Sequence, residues 1–174
     1  RQYPSAANEM AGKAQCDFIA GFIFGCCNRF RPKKDKLMKF NRYTLEDCHQ
    51  ATGIVLIIDV LRAFSTAAYA FSRGTKEIRL VSSVDEALTL KTQIPNSKAM
   101  GEVGGLPPEG FDFGNSPTRI LEQDLTGITL IQRTGAGTQG AVRSKNADIM
   151  LAVSFVVAKA TMEYVLRLKP DEIT

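Results

Sequence analysis

The chain contains no tryptophan, one histidine and only four cysteines, and each scarcity removes a class of function. Cys16, Cys26, Cys27 and Cys48 fall in no CxxC spacing, and adjacent Cys26 and Cys27, helped only by His49, do not suit a tetrahedral zinc site. Reduced, non-catalytic thiols are the expectation. No apolar run approaches the roughly 18 residues needed to span a bilayer, so no membrane partner is expected. The apolar stretch from Cys16 to Cys27 is interrupted by Asp17, and basic residues follow rather than precede it, the reverse of a secretion signal. A cytoplasmic protein is expected.

Basic charge is also scarce where nucleic acid would need it. The 22 Lys/Arg and 18 Asp/Glu leave a net charge of +4. Nine of the Lys/Arg and three of the Asp/Glu lie in residues 1–43, against thirteen and fifteen in residues 44–174. The body of the chain is slightly acidic. A nucleic-acid-binding domain should carry its basic stripe on the folded body, and here the excess runs from Arg29 to Arg42. No nucleic-acid partner is expected.

What is present is the composition of one ordinary globular domain: 174 residues, 44% of them hydrophobic, enough to bury a substantial core. Residues 1–43 lack clear periodicity, and Arg31–Lys36 has the makeup of a solvated connector. From Thr44 onward, short β-branched runs alternate with helical patterns. The fold class this predicts is α/β, a three-layer α/β/α arrangement around a largely parallel or mixed central sheet.

Ile54–Asp59 is an uninterrupted apolar run ending in a carboxylate, as in a central strand covered on both faces. A helix is predicted over Val60–Arg73, with Leu61, Phe64, Ala68 and Phe71 on its apolar face and Gly74 ending it. Further strands are expected at Glu77–Val81, Lys98–Val103, Ile128–Gln132 and Ile149–Val153. Helices are expected over Ser83–Ile94, behind a capping box, from Pro117 to about Gln123, over Gly137–Lys145 and over Val156–Lys169. Gly104–Gly114, with four glycines and two prolines, is a long loop of the kind that often carries function. Beyond Pro170, where the alternation requires another strand, only four residues remain.

In open α/β sheets ligands gather beyond the carboxyl ends of strands, so the strand-to-helix turns carry the candidate chemistry. At the first, Asp59 leaves a strand, while Arg62, Ser65, Thr66 and Tyr69 share one helical face. A guanidinium and a helix N-terminus suit a phosphate, and a carboxylate suits a hard cation. The same residues also read as an N-cap, a structural ion pair and solvated hydroxyls. At the second, Glu102, Glu109 and Asp112 are candidate magnesium ligands or acid/base groups, or simply the solvated acids of a surface loop. At the third, Gly135, Gly137 and Gly140 spell GxGxxG between a strand and a short helix. A Rossmann unit would place an acid after the next strand, where Ser154 and Phe155 stand. An anion cradle formed by backbone amides with the Thr134 and Thr138 hydroxyls competes with dinucleotide binding and with plain tight-turn glycines.

Taken together, IDVLRAFSTA (Ile58–Ala67), GEVGGLPPEGFDFGNSP (Gly101–Pro117), TGAGTQG (Thr134–Gly140) and SFVVAKA (Ser154–Ala160) resemble the 2-phosphosulfolactate phosphatase family, from about Ile54 to Pro170. The resemblance implies a magnesium-dependent phosphomonoester hydrolase that releases sulfolactate and phosphate, a step toward coenzyme M in methanogens. It implies a small anionic phosphorylated substrate as partner and is compatible with a homodimer. Residues 44–174 would form the phosphatase-like domain, without the family's C-terminal part, and residues 1–43 an atypical basic segment.

The expected assignments follow from the resemblance together with the site chemistry. Asp59, Arg62 and Asp112 are catalytic, and Asp59, Glu102 and Asp112 hold Mg2+. Arg62, Ser65, Thr66, Thr134, Gly135, Gly137 and Thr138 bind phosphate, and Asn115 and Ser116 bind the sulfonate or carboxylate. A non-catalytic anion-binding relative and a nicotinamide-dependent oxidoreductase are the rival expectations.

Overall fold

A computed structural model describes residues 38–174. The Cys16–Cys27 stretch and most of the basic N-terminal run lie outside the described residues. In chain order the elements are β1 (Lys39–Phe40), β2 (Gly53–Ile58), α1 (Ala63–Ser72), β3 (Glu77–Leu80), α2 (Val84–Gln93) and β4 (Ser97–Gly101). They continue with β5 (Phe113–Gly114), α3 (Pro117–Leu121), β6 (Thr129–Arg133), α4 (Gly137–Arg143), β7 (Ala147–Val153), α5 (Ala158–Leu168) and β8 (Glu172–Ile173).

The α/β class is as expected, and every pairing between these strands is parallel. Hydrogen bonding divides the strands into two sheets of four, ordered β1-β8-β2-β7 and β3-β6-β4-β5. Beyond the sequence expectation, Lys39–Phe40 forms a strand beside Glu172–Ile173. Phe113–Gly114, inside the predicted loop, pairs with Met100–Gly101, and the last residues of the chain do form a strand, with Ile173 beside Ile54.

Helix α1 explains the layering. Its Phe64, Ala67 and Ala70 pack with Ile78, Met100 and Leu130 of one sheet and Ala152 of the other, all within one core. The outer faces are covered separately. Val165 of α5 packs on Ile54, Ile149 and Leu151, and Ala87 of α2 on Val81 and Ile131. Alternation along β6 accounts for this: Leu130 points to α1 and Ile131 to α2, so the strand is buried on both faces.

This placement corrects the expected two-faced helix. Ser65 and Thr66 are buried, whereas Leu61 lies before the helix and is 70% exposed. A helix packed against α3 and in a core shared by both sheets has no wide solvent face, so hydroxyls at its N-terminal end turn inward. Thr66 Oγ1 donates to the Arg62 carbonyl at 2.8 Å.

The Ser83 half of the capping box before α2 forms as spelled, while the returning Glu86 carboxylate engages Ser82, one residue before the N-cap. Glu86 N–H donates to Ser83 Oγ at 3.1 Å, and Glu86 Oε2 accepts from Ser82 N–H at 3.0 Å. Ser83→Ala is expected to lower stability by about 1 kcal/mol, read as a shift in urea midpoint at unchanged slope.

Candidate active site at the carboxyl ends of the strands

Three turns that are distant in sequence meet here: β2 to α1, the stretch after β4, and β6 to α4. Asp59 leaves β2 with its N–H donating to the Val153 carbonyl at 2.9 Å. Its Oδ1 accepts from the Ala63 N–H at 3.2 Å, so Asp59 reaches forward to cap α1, although Arg62 occupies the N-cap position. The capping role and the site role therefore fall on the same carboxylate. Gly137 packs directly against it: a Cβ there would lie 2.8 Å from both Asp59 Oδ2 and Ala63 Cβ.

Glu102 is fixed from two sides. Gly135 N–H donates to its Oε1 at 2.6 Å and Gly105 N–H to its Oε2 at 2.8 Å. The glycine before it makes this possible. Gly101 has φ 142°, and a Cβ would fall 1.7 Å from the Arg133 carbonyl oxygen, so only glycine lets β4 run this close to β6. Arg133, which the sequence reading passed over, donates to the Glu102 carbonyl at 2.8 Å. Its signal was a basic residue ending an otherwise buried strand.

The two carboxylates are driven apart electrically. The Gly135 amide above all, then the Gly105 amide and the Arg133 and Arg62 charges, hold Glu102 below the usual glutamate range, against the effect of burial. Burial raises Asp59, aided by the Glu102 charge and opposed by the Ala63 and Gly137 amides. The sign of the linkage follows. A depressed Glu102 stabilises the fold above its ordinary value of 4.5, and that contribution disappears as pH falls through the depressed value. Glu102→Gln is therefore expected to flatten the acid limb of a stability–pH curve, measured by urea melts from pH 7 downward.

The Arg62 side chain is exposed and makes no hydrogen bond or ion pair among the described residues, while its carbonyl accepts from Thr66. It nevertheless acts on Glu102 through its charge. A guanidinium within electrostatic reach of Glu102 and available to solvent suits recognition of an incoming anion better than internal bracing.

The remaining expected residues separate into two groups. Asp112 stands apart from this cluster: its Oδ2 accepts from the Ala99 N–H at 2.8 Å and pairs with Lys91 Nζ at 2.8 Å, which fastens β5's approach to β4. Glu109 is exposed on the loop. Among the described residues no three His, Cys, Asp or Glu side chains gather as a metal group.

Thr134 and Thr138 are buried with their hydroxyls engaged on each other's backbone. Thr138 N–H donates to Thr134 Oγ1 at 3.1 Å, and Thr134 N–H to Thr138 Oγ1 at 2.7 Å. They give the turn its shape. Asn115 and Ser116 stand one and two residues past the Gly101–Gly114 register pair, at the same sheet end as Glu102. Asn115 is buried with Oδ1 unpartnered among the described residues, and Ser116 starts α3 without a side-chain capping bond. Ser65 and Ser154 hydroxyls are likewise buried and unpartnered.

The GxGxxG glycines have structural work independent of a dinucleotide. Gly135 serves Glu102, Gly137 admits Asp59, and a Cβ on Gly140 would press on Ile57 at 3.2 Å. Gly137→Ala is expected to displace Asp59 and lower stability by about 1–3 kcal/mol through overpacking, seen in thermal melts alongside loss of turnover. Cys48 is a free, buried thiol near the Gly140 carbonyl.

Ile58, Val60, Leu61, Val103, Leu106 and Phe155 are all exposed on the turns that leave β2, β4 and β7. A groove of about 440 Å³, lined by Leu45, Cys48, Val55 and Ile57, reaches Ala136 and Gly137 but takes in none of Asp59, Arg62 or Glu102. None of the helices among the described residues is long and apolar enough to cross a membrane.

Comparison with known proteins bears on this arrangement. The family described as "2-phosphosulpholactate phosphatase" matches residues 41–174. A Bacillus subtilis protein named "Probable 2-phosphosulfolactate phosphatase" is 43% identical over 119 residues, 68% of this chain and 52% of that one. Proteins of the same printed name are similar in Carboxydothermus hydrogenoformans, at 40% over 119 residues (68% and 49%), and in Caldicellulosiruptor saccharolyticus, at 35% over 133 residues (76% and 55%). The chain spans about half the length of these curated relatives.

Proposed function

We propose, on the premise that the chain belongs to the 2-phosphosulpholactate phosphatase family, that it forms the catalytic part of a phosphomonoester hydrolase. Its substrate is 2-phosphosulfolactate or a related small anionic ester. The observation that carries this reading is the convergence of Asp59, Arg62 and Glu102 with Gly135 and Gly137. Two carboxylates moved in opposite directions from their ordinary pKa and one guanidinium without a partner among the described residues share a strand-end site closed by a hydrogen bond between Gly135 and Glu102, 33 residues apart.

In the proposed reaction, water attacks phosphorus. A new P–O bond forms as the ester P–O bond breaks, and the water's proton ends on the departing alkoxide oxygen. Arg62 binds the phosphoryl oxygens and offsets charge that spreads over them in a loose transition state. Asp59, whose burial favours its protonated form, exchanges a proton with the attacking water or the leaving oxygen. Asn115 and Ser116 orient the sulfonate or carboxylate.

The donor set fits magnesium. Mg2+ is commonly held by one or two carboxylates together with substrate phosphate and water, rather than by an all-protein cage. Asp59 and Glu102 would supply those carboxylates, with Asp112 left to its contact with Lys91. The ion would supply charge neutralisation at the phosphoryl group.

The test is phosphate release from 2-phosphosulfolactate, with magnesium and after chelation. Turnover that requires magnesium is expected. Phosphate binding without release would instead indicate an anion-binding relative, and stabilisation by NAD a dinucleotide site.

A further inference from the structure

Gln132 is the next-to-last residue of β6, flanked by Leu80 of β3 and Met100 of β4, and it is fully buried. By alternation it shares a face with Leu130, the face packed against α1. Leucine or methionine would fill such a position with no polar atom to satisfy. Gln132 instead donates from Nε2 to the Ala63 carbonyl at 2.9 Å, while its Oε1 has no partner among the described residues. An orphaned buried carbonyl costs stability, so the side chain weakens the core at the place where it is used. Packing does not account for it.

Its gain is positional. Ala63 is the residue whose N–H is held by Asp59, so the first turn of α1 is gripped from β2 by Asp59 and from β6 by Gln132. Two residues beyond Gln132 begins the turn whose Gly135 and Gly137 contact Glu102 and Asp59. One amide therefore ties the turn carrying Asp59 and Arg62 to the strand that carries the opposite wall of the site.

We infer that Gln132 is a positioning residue for phosphoryl transfer, setting Asp59 and Arg62 in register with the β6–α4 turn. The inference rests on the phosphatase reading above. Misplacement by a fraction of an ångström at such a site affects the transition state more than substrate binding.

The experiment compares wild type with Gln132→Met and, as a second apolar variant, Gln132→Leu. Expected are a melting temperature at or above wild type and a kcat lowered about tenfold or more with KM changed much less. Faster hydrogen exchange is expected at the amides of residues 63–66. Wild-type kcat together with wild-type exchange would overturn the inference, as would loss of folding in both variants, which would make Gln132 a structural residue. If wild type itself releases no phosphate, the phosphatase reading fails. Gln132 is then judged on the exchange data and on calorimetric binding of inorganic phosphate: weaker binding with faster exchange supports the inference, and no change in either refutes it.

Discussion

Phosphate release is expected to fall by about 10²–10⁴-fold when Asp59 becomes asparagine, while the protein remains folded and becomes more stable at neutral pH. The two halves of this expectation have one cause. Burial, reinforced by the Glu102 charge, raises the Asp59 carboxyl above its ordinary value of 3.8. The folded state thus holds the Asp59 proton more tightly than the unfolded state does. The stability this contributes is fully present below the ordinary value and is lost as pH rises through the raised one. Above that ordinary value the carboxyl is therefore a net burden on the fold. Asparagine keeps an oxygen to accept the Ala63 N–H and removes the charge. Urea melts of both proteins should diverge as pH rises above about 4, with the variant the more stable, and phosphate release should be measured on the same samples. A variant that turns over like wild type would remove Asp59 from the chemistry.

Arg62→Ala is expected to lower kcat/KM by about 10³-fold or more, the range in which an arginine acts on a transferring phosphoryl group, with stability changed by no more than about 0.5 kcal/mol. The asymmetry follows from the surroundings of the side chain. It is exposed and has no hydrogen bond or ion pair among the described residues, so little in the folded state depends on it. Its backbone carbonyl, which receives both the N–H and the hydroxyl of Thr66, is untouched by the substitution. Arg62→Lys should recover little, because an ammonium lacks the planar fork that matches two phosphoryl oxygens. If the alanine variant loses folding and activity together, Arg62 is a brace and the anion is bound elsewhere.

Apart from the two-residue β5, the strands and helices from β2 onward were legible because their hydrophobic periods are strong and their caps are local. Ser83 and Glu86 lie three residues apart, and Ile54–Ile58 needs both faces covered wherever it is placed. The site was legible in part. Asp59, Arg62 and Glu102 each stand just past a strand end, a position that topology alone makes suspect. Asp112 carried the same local signal, yet it bonds Ala99 and Lys91. Whether a loop acid turns toward the site or back along its own strand depends on β5 pairing with β4, and a two-residue strand leaves almost no periodicity to read. Ser65 and Thr66 misled for a related reason: helical spacing reports which side chains share a face, not whether that face meets water.

The amino-acid sequence by itself determined the α/β class, the order of the elements and the strand ends at which chemistry could sit, because those depend on patterns spanning a few residues. Only the tertiary structure decided that α1 would pack in a core shared by both sheets, that Glu102 would be held by Gly135 and Arg133, and that Gln132 would bond the first turn of α1. Those outcomes depend on contacts between residues 31 to 69 positions apart. Such contacts are selected by the fit of whole layers, which local spacing does not encode.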